Sequence, residues 1–276
     1  MRRSIKRFIV ECFAVLLTVI LYGIPFYFIL VTSFKDKKEA SWMTMDLPSQ
    51  FHIIENYKDV FTYNNYMVVR AFINSTLMTF LSIIILVVVS SMAGYVLQRR
   101  RDKYSKLFNF IILSGLIIPP AIVPTIWVLN ALHIQKTLFG LIMVEVAISF
   151  SFATILYKGF MASIPVELDE AALVDGCGKV RLFFTMIFPL LKPVTSTIVV
   201  LTAVNIFNDF VNPLYFLPGN DNTTVQLTLY FFQSKYDSTW NLLFADVVLI
   251  SIPPLIMYIF FNKQIVSGMT AGSVKG

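Results

Sequence analysis

The chain is 276 residues long, 57% hydrophobic and only 14% charged, with a mean hydropathy of +0.74. A soluble domain carries about 25% charged residues, so this composition argues against a soluble enzyme or binding module and for one polytopic membrane domain. The net charge of +6 does not mark a nucleic-acid binder, because the basic residues cluster beside apolar runs and no interleaved basic and aromatic patch occurs.

The first element is an apolar run from about Phe8 to Val31, behind the basic stretch Met1–Arg7. It is too long for a cleaved signal sequence and no small-residue cleavage site follows it, so a retained first span is expected. Further apolar runs of about 20 residues, the length that crosses a bilayer, predict spans at Ala71–Leu97, Leu107–Leu129, Leu138–Tyr157, Met186–Phe210 and Leu242–Phe261. Six spans make residues 1–276 a single all-α integral membrane domain. With the amino terminus inside, 15 of the 22 Lys and Arg fall in inner segments and 7 in outer ones. That bias predicts both termini, and the loop between the fourth and fifth spans, on the cytosolic side.

The outer segment Thr32–Arg70 is amphipathic and mixed in charge. The outer segment Asn212–Asn241 is rich in Asn, Thr and aromatics, with a turn expected at Pro218-Gly219-Asn220-Asp221. Pro119, Pro120 and Pro124 fall within the third span and Pro253 and Pro254 within the sixth. They either kink their helices locally or bend them around a translocation path. Cys12, Cys177, His52 and His133 are isolated in sequence and suit neither a metal cluster nor a disulfide framework.

The loop at about 163–189 is the most specific segment. Pro165 has the fixed φ of a first helical turn. Glu167, Asp169 and Glu170 crowd the same end, where acids interact favourably with the helix dipole. Gly176 and Gly178 provide the stop. About eleven residues make a rod of roughly 16 Å, too short to be stable alone, with Val166, Leu168, Leu173 and Val174 offering apolar surface to a partner. Ala171 and Ala172 keep one side thin enough for a groove to close around it. A helix lying on the inner leaflet would favour a basic polar face; this one is acidic.

The order Glu170-Ala171-Ala172, three residues, Gly176, then a stretch ending in Pro189 resembles the EAA loop of ATP-binding-cassette importer permeases. The family favours Ile and Leu shortly before the proline, where this chain has the equally apolar Met186 and Phe188. The tail from Lys263 to Gly276 resembles the terminal signature of the carbohydrate-uptake branch, the maltose-permease-like proteins. The resemblance covers nearly the whole chain. It implies a type I importer permease fold with six transmembrane helices and a cytosolic coupling helix, and a protein of the plasma (inner) membrane. It also implies coupling to an ATPase through Glu170, Ala171, Ala172, Asp175, Gly176 and Pro189, with Glu170 meeting a basic residue of the ATPase. The implied partners are a second permease subunit, a dimer of ATPase subunits that bind ATP and Mg, an extracellular sugar-binding protein and membrane lipid. The implied cargo is a carbohydrate, expected to be an oligosaccharide. Gly178-Lys179 looks like part of a phosphate-binding loop, but Val180 replaces its hydroxyl residue and Leu173 its first glycine. No cofactor and no catalytic role are therefore expected in this chain.

Acids within spans are few and costly. Glu145, in the fourth span, either lines the path, meets a partner subunit, or is hydrogen-bonded inside the bundle. Asn205, Asn208 and Asp209 make a polar cluster at the outer end of the fifth span. With Tyr215 and Phe216 they could contact sugar, although aromatics also anchor spans at the interface. Asp246 sits near the outer end of the sixth span. Three rival readings stand beside the sugar permease: an importer permease for another solute, an ion-coupled secondary transporter using Glu145, and a structural or assembly membrane protein. The second leaves the EAA-like loop unexplained, and the third leaves the concentrated breakers unexplained.

Overall fold

The computed structural model describes residues 2–219, 222–233 and 239–271, and among these the regular secondary structure is all helical. Asn220 and Asp221 of the expected turn lie outside the described residues. So do residues 272–276 of the tail and the side chains from 262 onward.

Helix α1 (Arg2–Thr18) continues through a π turn at Val19–Gly23 into α2 (Ile24–Ser33). Together they supply a stretch long and apolar enough to span, Arg7–Ser33, close to the predicted Phe8–Val31. Its apolar side chains, Phe8, Phe13, Leu16 and Ile20 among them, are exposed on the chain. In lipid such exposure carries no penalty, since acyl tails are as apolar as leucine. The short α3 (Lys37–Ser41) starts at Asp36, whose side chain accepts a hydrogen bond from the Glu39 amide at 2.7 Å, an N-cap.

Helix α4 (Ile53–Arg99) includes the second predicted span but is two helices in effect. Tyr63 is extended, and Asn64, Asn65 and Tyr66 have φ of 44°, 57° and 60°. Asparagine tolerates left-handed backbone and tyrosine rarely does, so the chain is strained at this break.

The third predicted span, Leu107–Leu129, is not one helix. It is replaced by α5 (Lys103–Ile117) and α6 (Ile122–Ala131). Ile118 is extended, with ψ of 118°, as the residue before a proline must be, and Pro119-Pro120 can donate no hydrogen bond to continue α5. The sequence left open a kink or a bend around a path, and the prolines here break the helix outright. Pro124 is tolerated because it lies in the first turn of α6. Asp102 caps α5, and hydrogen bonds from the backbone and side chain of Ser105 hold its carboxyl below the usual range.

Helix α7 (Leu138–Met161) contains the fourth predicted span and is capped by Thr137. It is followed by α8 (Glu167–Val174), α9 (Lys179–Leu182), a π turn at Phe183–Ile187, α10 (Phe188–Leu190) and α11 (Lys192–Phe207). The fifth predicted span, Met186–Phe210, bends by 77° between the segments Lys179–Leu190 and Lys192–Phe207. Pro189 and Pro193 lack the N–H groups that would bond the carbonyls four residues back, which accounts for the π turn and the bend. Two helices in the outer segment, α12 (Val211–Phe216) and α13 (Val225–Phe232), carried no clear sequence signal. The last helix, α14 (Trp240–Ala271), runs unbroken through Pro253 and Pro254 and contains the sixth predicted span. Among the described residues four helices are long and apolar enough to span, or five if the bent pair counts as one.

The chain forms two compact units. The first comprises Met1–Ala71 and Val225–Pro253, the second Phe72–Thr224 and Pro254–Gly276. In the first unit the buried Asn56 ties three segments together. Its amide donates to the carbonyls of Ser33 at 2.9 Å and Lys35 at 2.8 Å, and its oxygen accepts from Asn241 at 2.8 Å. Lys35 is buried too, its ammonium donating to the Thr44 carbonyl at 2.7 Å. The segment that read as a mixed-charge outer loop thus holds buried polar groups, Lys35 and Asn56, beside buried apolar ones such as Val60 and Met67. Asp246, fully buried, accepts from the Thr228 hydroxyl at 2.6 Å.

In the second unit α7 is the centre. The Tyr157 hydroxyl donates to Thr195 Oγ1 of α11 at 2.9 Å, and Lys158 donates to Asn109 of α5 at 2.7 Å. The backbone of α4 lies against α7 at Gly94, where a Cβ would stand 2.7 Å from Tyr157 Cβ and 2.9 Å from the Lys158 nitrogen. Leu141, Tyr157, Met161, Leu182, Ile187 and Ile198 form the centre of its apolar core.

Candidate functional site

Two places in the second unit gather the residues singled out from sequence. The first is α8. It begins at Glu167, with Val166 as N-cap and Pro165 ahead of the helix rather than in its first turn. Its eight residues make a rod of about 12 Å, shorter than expected. It ends in a Schellman motif: Cys177 N–H bonds the Ala172 carbonyl at 2.9 Å and Gly176 N–H bonds that of Leu173 at 3.1 Å. Gly176 has φ of +78°, the left-handed conformation this ending needs and glycine adopts freely.

One side of α8 is fixed and the other is open. Ala172 is 2% exposed and packs into the core with Leu182, Phe183 and Ile187. Glu167, Glu170, Ala171 and Asp175 are exposed. So are Val166, Leu168, Leu173 and Val174, the last at 88%. An apolar surface flanked by acids, on a helix pinned from behind, fits an apolar groove with basic edges. Pro189 is exposed beside the bend, at the end of the first segment of the pair, and does not join this surface within the described contacts.

The pin is a group that the sequence did not reveal. Arg99, at the end of α4, donates from Nε to Asp169 Oδ2 at 2.7 Å and from Nη2 to Oδ1 at 3.5 Å. The same guanidinium donates to the carbonyls of Ile164 at 3.1 Å and Pro165 at 3.3 Å. Tyr95, one turn back on α4, donates to Asp169 Oδ2 at 3.1 Å, and its ring packs 5.4 Å from that of Phe183. The Arg99 and Asp169 side chains are 12% and 10% exposed. Breaking so enclosed a pair costs about 3–5 kcal/mol, because it strands a charge. In sequence Arg99 counted only as one of a basic cluster and Asp169 as one of three helix-end acids; nothing in the spacing, 70 residues apart, pairs them.

The second place surrounds Glu145, which is 4% exposed on α7. The Asn212 amide donates to its Oε1 at 3.2 Å, and Asp209 is a further hydrogen-bonding neighbour. Asp209 Oδ1 in turn accepts from the amides of Val211 at 2.8 Å and Asn212 at 3.3 Å, which starts α12. Of the expected outer cluster, then, Asp209 joins Glu145. Asn205 and Asn208 are exposed near the end of α11, and no described contact draws Asn205 to Glu145. Tyr215 is half exposed while Phe216 is buried. Asn212 was not singled out from sequence, where it read as one more outer-segment amide. Beside it lies a cavity of about 560 Å³ lined mainly by apolar side chains, among them Pro120, Leu129, Phe139, Met143, Ala147 and Phe216. Among the described residues no group of three or more His, Cys, Asp or Glu is placed to hold a metal ion.

Residues 87–270 match the family described as "Binding-protein-dependent transport system inner membrane component", a range that includes both places. The chain is 35% identical over 253 residues to the "Probable starch degradation products transport system permease protein AmyC" of Thermoanaerobacterium thermosulfurigenes, covering 91% of each. It is 32% identical over 258 residues to the "Melibiose/raffinose/stachyose import permease protein MelC" of Bacillus subtilis, covering 92% of this chain and 91% of that one. Its fold is that of a chain in the crystal structure of a bacterial ABC transporter involved in the import of the acidic polysaccharide alginate. The TM-score is 0.81 at 20% identity, over 95% of this chain and 98% of that one.

Proposed function

The chain belongs to the family of binding-protein-dependent transport system inner membrane components, and from that premise we propose that it is the permease subunit of an ATP-driven carbohydrate importer, coupled to a separate ATPase through α8. The family's member is an integral membrane component and not itself an enzyme. The observation that carries the coupling role is the division of α8 into a pinned side and an open, acid-flanked apolar side. Such a surface on so short a helix needs a partner. Closure of an ATPase dimer around bound ATP and Mg²⁺ would displace α8, with Glu170 against a basic residue, and so bias the spans between inward- and outward-open states.

The relatives' names support a carbohydrate cargo, an oligosaccharide first among the candidates. A loaded extracellular binding protein would deliver it to a path formed with a second permease subunit, with both termini of this chain in the cytosol. Glu145, Asn205, Asn208 and Asp209, now joined by Asn212, are the polar groups of this chain proposed to border that path.

The test is phosphate release from proteoliposomes holding the purified complex. Maltotriose, melibiose and raffinose are each added with the cognate binding protein, with amino acids and peptides as controls. Stimulation by a sugar-loaded binding protein, and little by sugar alone, is expected. Stimulation by an amino acid or peptide and by no sugar would replace the cargo class; uptake with no ATPase subunit present would end the coupling role.

A further inference from the structure

Helix α8 follows α7 through a short connection, residues 162–166, so a push on α8 reaches α7 through the backbone. Nothing in the chain's connectivity carries it to α4. We propose that Arg99 is the positioning residue that locks the end of α4 to α8, so that α4, α7 and α8 move as one body; this rests on the coupling role proposed above for α8.

Three features support it. The Arg99 guanidinium holds the approach to α8 and its first turn together, through the Ile164 and Pro165 carbonyls and both Asp169 oxygens. A planar fork with several donors fixes orientation as well as distance, which one ion pair from a lysine would not. Tyr95 adds a second donor from the same face of α4, to the same Asp169 oxygen, so this carboxylate of α8 is gripped from two turns of α4. The backbones of α4 and α7 already touch at Gly94, within a turn and a half of Arg99, which closes a triangle of three helices. With the lock removed, α8 would remain joined to α7 but could swing against α4.

The experiment uses the whole complex in proteoliposomes, in a background lacking Cys12 and Cys177, with spin labels at Gln98→Cys on α4 and Glu167→Cys on α8. Pulsed electron resonance reads the distance between them with and without Mg-ATP. With Arg99 present, one narrow distance is expected, unchanged by ATP. In Arg99→Ala the distribution should broaden and its centre shift on ATP addition by about 2 Å, the scale of helix displacements in switching proteins. Arg99→Lys should restore part of the narrowing. An Arg99→Ala distance identical to that of the unchanged chain in both states would overturn the proposal. Should Arg99→Ala fail to assemble, Tyr95→Phe keeps the ring packing and removes one donor. Its distribution should broaden less, and an unchanged one would overturn the proposal. Co-purification separates the two readings. If the unchanged chain retains no ATPase subunit, the coupling role itself fails; if it does, and the label distance varies with ATP while Arg99 is present, only the lock fails.

Discussion

Arg99 and Gly94 do opposite kinds of work on the same helix. Arg99 reaches out from the end of α4 with a charged fork, and Gly94 withdraws so that two backbones can meet. The first depends on four acceptors converging from the connection and α8, the second on the absence of a side chain. A valine at Gly94 would place its Cβ against Tyr157 and Lys158, with backbone on one side and unable to yield cheaply. Gly94→Val should therefore destabilise the second unit by about 1–3 kcal/mol, as overpacked cores do. Thermal unfolding in detergent, compared with Gly159→Ala where a Cβ meets nothing within 4 Å, is the measurement. An equal effect of both changes would show that the close approach does not matter.

Elements here are set by where their ends fall. Helix α8 is brief because Pro165 lies outside it and Gly176 turns left-handed after it. Replacing Gly176 with valine forces a β-branched residue into that conformation, at a cost of about 1–2 kcal/mol, and loosens the two Schellman hydrogen bonds. Gly176→Val should abolish uptake while the protein still inserts. Glu170→Arg should do the same by reversing an exposed charge at the proposed partner surface, with little effect on folding. Uptake assayed at matched membrane levels checks both; normal uptake in Glu170→Arg would remove this residue from the coupling surface. The presence of this helix and its carboxy-terminal stop were legible in the sequence, because proline, acids and glycine act locally. Its fixed side was not, since burial of Ala172 and Asp169 depends on α4 and on the π turn after α9.

At the scale of the whole molecule the apolar runs and the distribution of charge carry most of the information. The bias of 15 cationic residues to 7 predicts that the α4–α5 connection lies inside and the α6–α7 connection outside. In a background lacking Cys12 and Cys177, an impermeant thiol reagent on intact cells should label His133→Cys and leave Arg101→Cys unlabelled until the cells are opened. Both positions are exposed. Labelling of position 101 with none at 133 would invert the topology. A third predicted span proved to be two helices, and a fifth proved bent. Both departures have prolines at the break, so the signal was present, but a proline pair leaves kink and break undecided until neighbouring elements are in place.

Composition, span length and the EAA-like spacing were enough, by themselves, to identify an all-helical membrane protein and a family. These properties are written in local chemistry: transfer of apolar side chains to lipid, fixed φ at proline, free φ at glycine. What only the tertiary structure decided are the pairings. Arg99 meets Asp169, Asn212 meets Glu145, and Asn56 meets Asn241 across sequence separations of 70, 67 and 185 residues. Each partner is one polar residue among several equivalent ones in its segment. Which of them meet is set by how the helices pack, because a buried polar group must find its partner wherever the fold brings one within about 3 Å.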